Sequence, residues 1–376
     1  MLRLRTCNDE KSLRANDSTM ARRHPLQNAL APLLFPLSLL YGGGGKFRRM
    51  LYARGILQSF SPPGFCISVG NISWGGTGKT PVTDYLLDWC RKKRLHAAVL
   101  TRGYRSHPPF LPYFVTADSN PEECGDEPLM LAKRHPEAVI AVDPERSRAI
   151  RALREKMRPD AFILDDGFQH RSVKRNLDLV LMDEEDLLPN SKDSDWNRVI
   201  PAGTWREPAS ALRSADAFLV RTEAESWDSL AGSALSRLPE RPLFAFRMVV
   251  QGLRPIGGTA PFPKGSGYAF ATGIGNPWQA QATAEHFMAQ APQKTFFFPD
   301  HHDFRKEKDL LESSGLPLIC TAKDAVKLEK LDLSVPCFAL DAAAEFFASA
   351  AAAGAHVPPF DEWLDEKHQH FIRAGA

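Results

Sequence analysis

Three glycines, a lysine and two threonines make up six consecutive residues of this chain, Gly75-Gly76-Thr77-Gly78-Lys79-Thr80. An apolar run at residues 66–70 precedes them, and a helical pattern follows from Val82 to Trp89. Glycines between a strand and a helix let backbone N–H groups surround a phosphate, while the lysine reaches the outer phosphates and the threonine hydroxyl is offered to Mg²⁺. The stretch therefore predicts a phosphate-binding loop, or P-loop.

One position departs from the common P-loop pattern, which has glycine five residues before the glycine of Gly-Lys-Thr. Ser73 stands there instead. Pro81 suits the helix start, because the first turn has no partner for the N–H that proline lacks. The alternative is a glycine-rich turn that binds nothing. We expect nucleotide contacts from Ser73, Trp74, Gly75, Gly76, Thr77, Gly78, Lys79 and Thr80.

Two adjacent acids, Asp165 and Asp166, end the apolar run at residues 161–164. A carboxylate at the tip of a buried strand can approach Mg²⁺ held between nucleotide phosphates. Acids are also common at strand ends, so the pair indicates a metal site only in combination with the P-loop. We expect Mg²⁺ to be held by Thr80, Asp165 and Asp166, and the sequence does not decide which acid touches it.

Imidazoles and carboxylates crowd together in Phe298-Pro299-Asp300-His301-His302-Asp303-Phe304. Such residues suit a metal site or a proton-transfer group. Adjacent His301 and His302 would point in opposite directions on an extended chain, which favours proton handling by one of them. A solvated polar loop is the alternative.

Arg206 lies in a loop rich in turn-forming residues, Pro201-Ala202-Gly203-Thr204-Trp205-Arg206-Glu207-Pro208. An arginine there could neutralise the charge on a transferring phosphoryl group. It could equally pair with Glu207 or another surface acid, and the sequence does not separate the two.

The composition is that of an ordinary globular protein, with 43% hydrophobic and 24% charged residues among 376. A net charge of +2 does not indicate a nucleic-acid partner, and we expect none. The six cysteines have no Cys-x-x-Cys spacing, which favours reduced thiols over a zinc site or a disulfide framework.

The N-terminal part predicts a disordered extension at residues 1–24 and a membrane-associating helical segment at residues 25–58. An apolar run at residues 29–41 is followed by Gly42 to Gly45 and a basic amphipathic piece. The run is shorter than a spanning helix of about 20 residues, so an interfacial anchor is favoured, and a helix packed in the core is the alternative.

Short apolar strands alternate with helical segments from residue 59 onward. This order predicts an α/β fold with a doubly wound, mostly parallel sheet and ligands at its C-terminal edge. We place a P-loop domain at residues 59–250 and a smaller α/β domain at residues 251–376, because proline and glycine become frequent between Leu238 and Gly267. The alanine-rich residues 342–353 are compatible with a helix.

These motifs, in their order, resemble the tetraacyldisaccharide 4′-kinase (lipid A 4′-kinase) family of Gram-negative bacteria. Trp74, Trp205 and Ala322 depart from the usual residues of the family, and we expect these small differences to concern local packing only. The resemblance covers about Leu33 to Leu328 and rests on residues 69–81, 102–104, 125–128, 164–171, 201–208, 272–277 and 298–301.

The resemblance implies ATP- and Mg²⁺-dependent phosphorylation of the 4′-hydroxyl of a tetraacylated glucosamine disaccharide 1-phosphate, a glycolipid. It also implies a location on the cytoplasmic face of the inner membrane, peripheral or anchored by the N-terminal segment. It makes Asp126 and His301 a catalytic pair, adds Lys79 and Arg206 to the catalytic residues, and places Gln169, His170 and Glu207 at the active site.

Two other classes share part of the pattern. A P-loop GTPase usually has Asn/Thr-Lys-x-Asp for guanine, and Lys323-Asp324 lacks the intervening residue. A membrane-bound ATP switch of the septum-positioning type carries a second lysine where Trp74 stands. Both differences favour the kinase.

Overall fold

The computed structural model describes residues 25–188, 191, 194–352 and 355–375. The predicted extension at residues 1–24 lies outside them. Twelve strands occur in this part of the chain: β1 Phe65–Asn71, β2 Ala97–Thr101, β3 Tyr113–Val115, β4 Val139–Val142, β5 Ala161–Asp165, β6 Leu177–Met182, β7 Ala217–Arg221, β8 Leu243–Ile256, β9 Ala269–Thr272, β10 Lys294–Phe297, β11 Leu318–Thr321 and β12 Cys337–Ala350.

The α-helices alternate with these strands. They are α1 Pro25–Ala53, α2 Lys79–Lys92, α3 Pro121–Cys124, α4 Asp126–Arg134, α5 Arg146–Lys156, α6 Glu184–Leu187, α7 Trp227–Arg237, α8 Pro277–Met288, α9 Lys308–Glu312, α10 Ala322–Leu328 and α11 Phe360–Gly375. Short 3₁₀ helices lie at Ala209–Ser214, Ala224–Ser226 and Phe304–Lys306.

All described strands join one sheet in the order β10-β9-β11-β12-β8-β7-β6-β1-β5-β2-β4-β3. Pairing is parallel except between β3 and β4 and between β8 and β12. Every residue of β1, β2 and β6 is buried, as expected for parallel strands covered by helices on both faces. The predicted mostly parallel α/β fold is confirmed.

The long antiparallel strands β8 and β12 connect the two ends of the sheet. The start of β8 pairs with β7, and the start of β12 pairs with β11. We call the strands from β1 to β7 with their helices the first lobe, and β9 to β11 with theirs the second lobe. The predicted boundary at residue 250 falls within β8 and remains a proposal.

The C-terminal helix α11 packs on the first lobe. Phe360, Trp363 and Leu364 lie in one buried cluster with Phe65 and Trp89. The Trp89 indole also donates a hydrogen bond to Asp365, 2.9 Å away. Although the last residues were predicted to belong to the smaller domain, these contacts attach α11 to the P-loop side of the sheet.

The helix compatible with residues 342–353 is not formed in the described part of that stretch, which continues β12 to Ala350. Antiparallel pairing with β8 brings Phe346 beside Phe246 and stacks it on Phe360 at a ring separation of 3.9 Å. Alanine favours helices by less than about 1 kcal/mol per residue, so this pairing and burial decide the conformation.

Helix α1 is continuous through Gly42–Gly45, where the sequence suggested a division into two pieces. Gly42 is buried and faces Val199 and Pro208. In the described part of the chain, no helix has both the length and the apolar character needed to cross a bilayer.

Candidate active site

The P-loop joins the C-terminal end of β1 to the first turn of α2. Gly75 and Gly78 adopt positive φ angles of 130° and 93°, which favour glycine. Helix α2 begins at Lys79, and no side chain caps its N-terminus. Its first N–H groups are therefore available for an anion.

The loop after β5 lies directly against β1 at Gly70. A Cβ atom at residue 70 would come within 2.6 Å of the Phe168 Cβ and 2.7 Å of the Phe168 nitrogen. Gly167 N–H donates to the Val69 carbonyl at 3.0 Å, and the Gln169 amide donates to the Asn71 carbonyl at 2.9 Å. This close approach holds Asp165 and Asp166 beside the P-loop.

Gly70→Ala is expected to lower the free energy of unfolding by about 1–3 kcal/mol, because the methyl group overlaps backbone and side-chain atoms of Phe168. Urea unfolding followed by fluorescence measures the change. Gly76→Ala is the matched control, since a Cβ there meets no described atom within 4 Å. Equal stability of the two variants would contradict the predicted overlap.

Lys79, Asp166 and Arg206 form a charged cluster at the P-loop. Lys79 Nζ donates to Asn71 Oδ1 at 3.2 Å and lies 3.7 Å from Asp166 Oδ1. Arg206 Nη1 donates to both Asp166 oxygens at 2.9 and 2.8 Å. Burial raises the pKa of Asp166, but the charges of Lys79 and Arg206 outweigh it and hold the pKa below its usual value.

Asp165 and Thr80 supply the other oxygens predicted to hold Mg²⁺. Burial, with the charges of Glu127 and Asp166, raises the pKa of Asp165 to about 6. The Thr80 hydroxyl donates to Glu127 Oε2 at 2.8 Å. Among the described residues, no three His, Cys, Asp or Glu side chains converge on one metal position. This donor set fits Mg²⁺, which proteins usually bind through one or two carboxylates together with phosphate oxygens and water.

Asp126 and His301 meet between the lobes. Asp126 begins α4 of the first lobe, and His301 follows β10 of the second with a φ of 64°. His301 Nδ1 lies 2.9 Å from Asp126 Oδ2. Asp126 adjoins Glu127, which accepts the Thr80 bond, so the pair lies next to the start of α2.

His302 is directed elsewhere, as the opposite orientation of adjacent side chains predicts. Its Nε2 lies 3.2 Å from Glu307, and its ring stacks on Phe298. The two histidines therefore do not converge on a metal ion. Of the alternatives for this stretch, the contacts favour a proton-handling role for His301.

Glu207 does not pair with Arg206. It forms an ion pair with Arg49 of α1, and Arg49 Nη1 also donates to the Ala211 carbonyl at 3.1 Å and to Ser214 at 2.9 Å. Burial, together with Arg171 and Arg175, lowers the pKa of Arg49 to about 9. Of the two readings of Arg206, the structure shows pairing with an acid, and that acid is Asp166 beside the P-loop.

Helix α1 docks along the loop that carries Arg206. The Gln27 amide donates to the carbonyls of Pro201 and Gly203 at 2.8 and 3.1 Å, and the Ser38 hydroxyl accepts the Ala202 N–H at 2.9 Å. Arg206 N–H in turn donates to the Ile72 carbonyl at 2.6 Å. The loop also forms an antiparallel bridge to the P-loop between Trp205 and Ser73. Helix α1 therefore holds the segment that contacts the P-loop.

Four other predicted site residues, Ser73, Trp74, Gln169 and His170, differ in burial and in their contacts. Ser73 is buried and donates to Asp183 at 2.5 Å, whereas Trp74 is 56% exposed. Gln169 Oε1 lies 3.4 Å from Arg206. His170 contacts Ser172 at 2.9 Å, and burial followed by the charges of Arg146 and Arg175 lowers its pKa to about 4.

Sequence reasoning assigned no role to four residues that contact this site. Asn71 holds Lys79, Asp183 holds Ser73, Lys323 lies 3.2 Å from Glu127, and Lys327 contacts Asp126 at 2.7 Å. The lysines are four residues apart, which places them on one face of a helix. That spacing in the sequence could have indicated that both lysines face the site.

Comparison with known proteins decides the family. A family model described as tetraacyldisaccharide-1-P 4′-kinase (LpxK) matches residues 30–358. The protein named tetraacyldisaccharide 4′-kinase in Nitratidesulfovibrio vulgaris is 42% identical over 359 residues, covering 93% of this chain and 98% of its own. The chain belongs to the tetraacyldisaccharide 4′-kinase family.

Two further relatives of this family agree. The tetraacyldisaccharide 4′-kinase of Pseudomonas aeruginosa is 36% identical over 349 residues, covering 93% of this chain and 95% of its own. The crystal structure of LpxK from Aquifex aeolicus in complex with ATP superposes with a TM-score of 0.71 at 28% identity, covering 92% and 99% of the two chains. Family membership favours the kinase over the GTPase and the membrane-bound switch.

Proposed function

We propose that the protein transfers the γ-phosphoryl group of ATP to the 4′-hydroxyl of a tetraacylated glucosamine disaccharide 1-phosphate. Family membership supports the reaction, and the Aquifex neighbour was crystallised with ATP. The observation that carries the proposal is the contact between Asp126 and His301, which joins the two lobes next to Thr80 of the P-loop.

Phosphoryl transfer passes through a loose transition state, so catalysis rests on positioning and on neutralising charge. Lys79 and Arg206 bring two positive charges to the P-loop, and both form ion pairs with Asp166 in this structure. The N-terminus of α2 adds its N–H groups. Mg²⁺, when held by Thr80 and the two acids, supplies further positive charge to the phosphates.

The acceptor hydroxyl must lose its proton late in the transfer. Asp126 accepts that proton, and His301 orients the carboxylate or relays the proton. Since the two residues come from different lobes, they meet only when the lobes are closed. Closure also excludes water that would hydrolyse ATP.

We further propose that α1 lies at the cytoplasmic face of the inner membrane, where the acyl chains of the acceptor remain. Gln27, Ser38, Gly42 and Arg49 face the protein, whereas most of the large apolar side chains of the helix are exposed. Leu33 and Leu40 are each 74% exposed, and Phe47 is 58% exposed. An exposed apolar helix face with Lys and Arg nearby suits the interface of an anionic bilayer.

Phe47, Leu51 and Phe60 are proposed to touch acyl chains, although Phe60 is half-buried against a core cluster and lies under Arg151. Deletion of α1 would disturb both membrane contact and the Arg206 loop. Substitutions on the exposed face alone therefore give the cleaner test.

The double substitution Leu33→Asp/Leu40→Asp is expected to lower the fraction of protein that floats with anionic phospholipid vesicles about tenfold or more, because it places charges in the apolar layer. Activity on detergent-dispersed acceptor should change by no more than about twofold, since both side chains are largely exposed. Unchanged flotation would contradict the proposed membrane face.

The reaction itself is tested by incubating the protein with Mg²⁺-ATP and the disaccharide 1-phosphate and detecting phosphate on the glycolipid. ATP should outcompete GTP as donor. Release of inorganic phosphate without a phosphorylated lipid would contradict the proposed kinase, and preference for GTP would contradict the proposed donor.

A further inference from the structure

The carboxylate of Asp126 has a second partner besides His301. Lys327, on α10 of the second lobe, donates from Nζ to Asp126 Oδ2 at 2.7 Å and to the His302 carbonyl at 3.0 Å. The same Oδ2 atom lies 2.9 Å from His301 Nδ1. Two groups of the second lobe therefore hold one oxygen of an acid that belongs to the first.

No described residue donates a hydrogen bond to the other oxygen of Asp126, Oδ1, because His301 and Lys327 both contact Oδ2. The side chain is 6% exposed and that of Lys327 is 16% exposed. A buried carboxylate with one oxygen fixed has little freedom to turn, so Oδ1 remains for the acceptor hydroxyl.

We propose that Lys327 is a positioning residue for the phosphoryl transfer: it anchors Asp126 Oδ2 together with His301, keeps the carboxylate ionised, and leaves Oδ1 for the substrate hydroxyl. This inference rests on the proposed kinase function. It assigns to Lys327 no contact with the substrate.

The charges around the pair support this role. Burial would raise the pKa of Asp126, but the hydrogen bonds from His301 and Lys327 lower it below its usual value. On its own helix Asp126 adjoins Glu127, whose charge is balanced by Lys323, and Asp300 and Tyr104 lie beside His301. The Cys124 thiol interacts electrostatically with Asp126 and with Lys330. Besides His301, Lys327 is the basic residue that contacts Asp126 directly among the described residues.

A carboxylate with a lowered pKa is a weak base. The reaction nevertheless needs Asp126 in this ionised form, because only the ionised form can accept the proton. In a loose transition state the proton leaves after the new bond has begun to form, when the hydroxyl has become acidic. An acid that is ionised at every working pH then suffices. Loss of the lysine charge would let the Asp126–His301 pair hold a proton at higher pH.

The test compares K327M, K327Q and K327R with wild type in full-length protein, using phosphorylated glycolipid as the product and recording kcat and KM across the neutral pH range. K133M is the matched control, because Lys133 and Glu329 form another ion pair between α4 and the end of α10 without touching Asp126. Circular dichroism verifies that each variant is folded.

We expect K327M to lower kcat about tenfold to a hundredfold with little change in the KM for ATP. The acid limb of its kcat profile should move to higher pH. K327Q should shift the limb in the same way, because it can donate a hydrogen bond but carries no charge. K327R should recover most of the activity, and K133M should stay within about twofold of wild type.

Activity of K327M near that of wild type overturns the inference. So does a loss without a shift of the acid limb, or one that K133M reproduces, because either indicates a structural role. If K327M is unfolded, K327Q decides in its place. An inactive wild-type protein would instead overturn the proposed function, so the two failures are distinguishable.

Discussion

Replacing Lys79 with alanine is expected to lower kcat/KM for ATP by about three orders of magnitude, the largest effect anticipated for a P-loop residue here. Lys79 Nζ is held by Asn71 at 3.2 Å and lies 3.7 Å from Asp166. Its loss removes a positive charge from the transferring phosphoryl group and leaves Asp166 with Arg206 as the remaining close cation. Steady-state transfer to the glycolipid acceptor measures the effect.

Lys79→Arg serves as the control for charge, because arginine keeps the positive charge but not the compact ammonium that fits between Asn71 and Asp166. It should recover part of the loss. An alanine variant with kcat/KM close to wild type would show that the nucleotide phosphates lie away from this loop, and the proposed mechanism would then fail.

Asp126→Ala and His301→Ala are each expected to lower kcat by about a thousandfold while leaving ATP binding nearly intact. The two side chains form one unit through their 2.9 Å contact, so removing the second after the first should cost little more. Single-turnover transfer to the acceptor, with ATP affinity measured separately, checks this pattern.

His302→Ala is the matched control for the histidine, since His302 stacks on Phe298 and faces Glu307 instead of Asp126. It should retain activity within about threefold of wild type. If the losses for Asp126→Ala and His301→Ala multiplied in the double variant, the two residues would act independently and the proposed pair would be wrong.

The parts of the fold that the sequence predicted are those set by local pattern. The P-loop between β1 and α2 follows from glycine spacing, and the strand ending at Asp165 follows from a buried apolar run. Strands β1 and β5 are parallel neighbours in the sheet, so their C-terminal ends lie side by side. The resemblance to the family then related His301 to Asp126.

Contacts between distant parts of the chain could not be predicted in the same way. Glu207 follows Arg206 directly, yet it pairs with Arg49, about 160 residues earlier, because the loop turns one side chain toward α1 and the other toward Asp166. Alanine-rich β12 became a strand through pairing with β8. Lys327 acquired its partner only when the two lobes came together.

The docking of α1 along the Arg206 loop has a consequence for inhibition. Gln27, Ser38 and Arg49 hold that loop by hydrogen bonds and an ion pair from outside the nucleotide site. A small molecule lodged between α1 and the loop would displace Arg206 from Asp166 without occupying the place of ATP. High cellular ATP would then not outcompete such a compound, because the contact between α1 and the loop lies outside the nucleotide site.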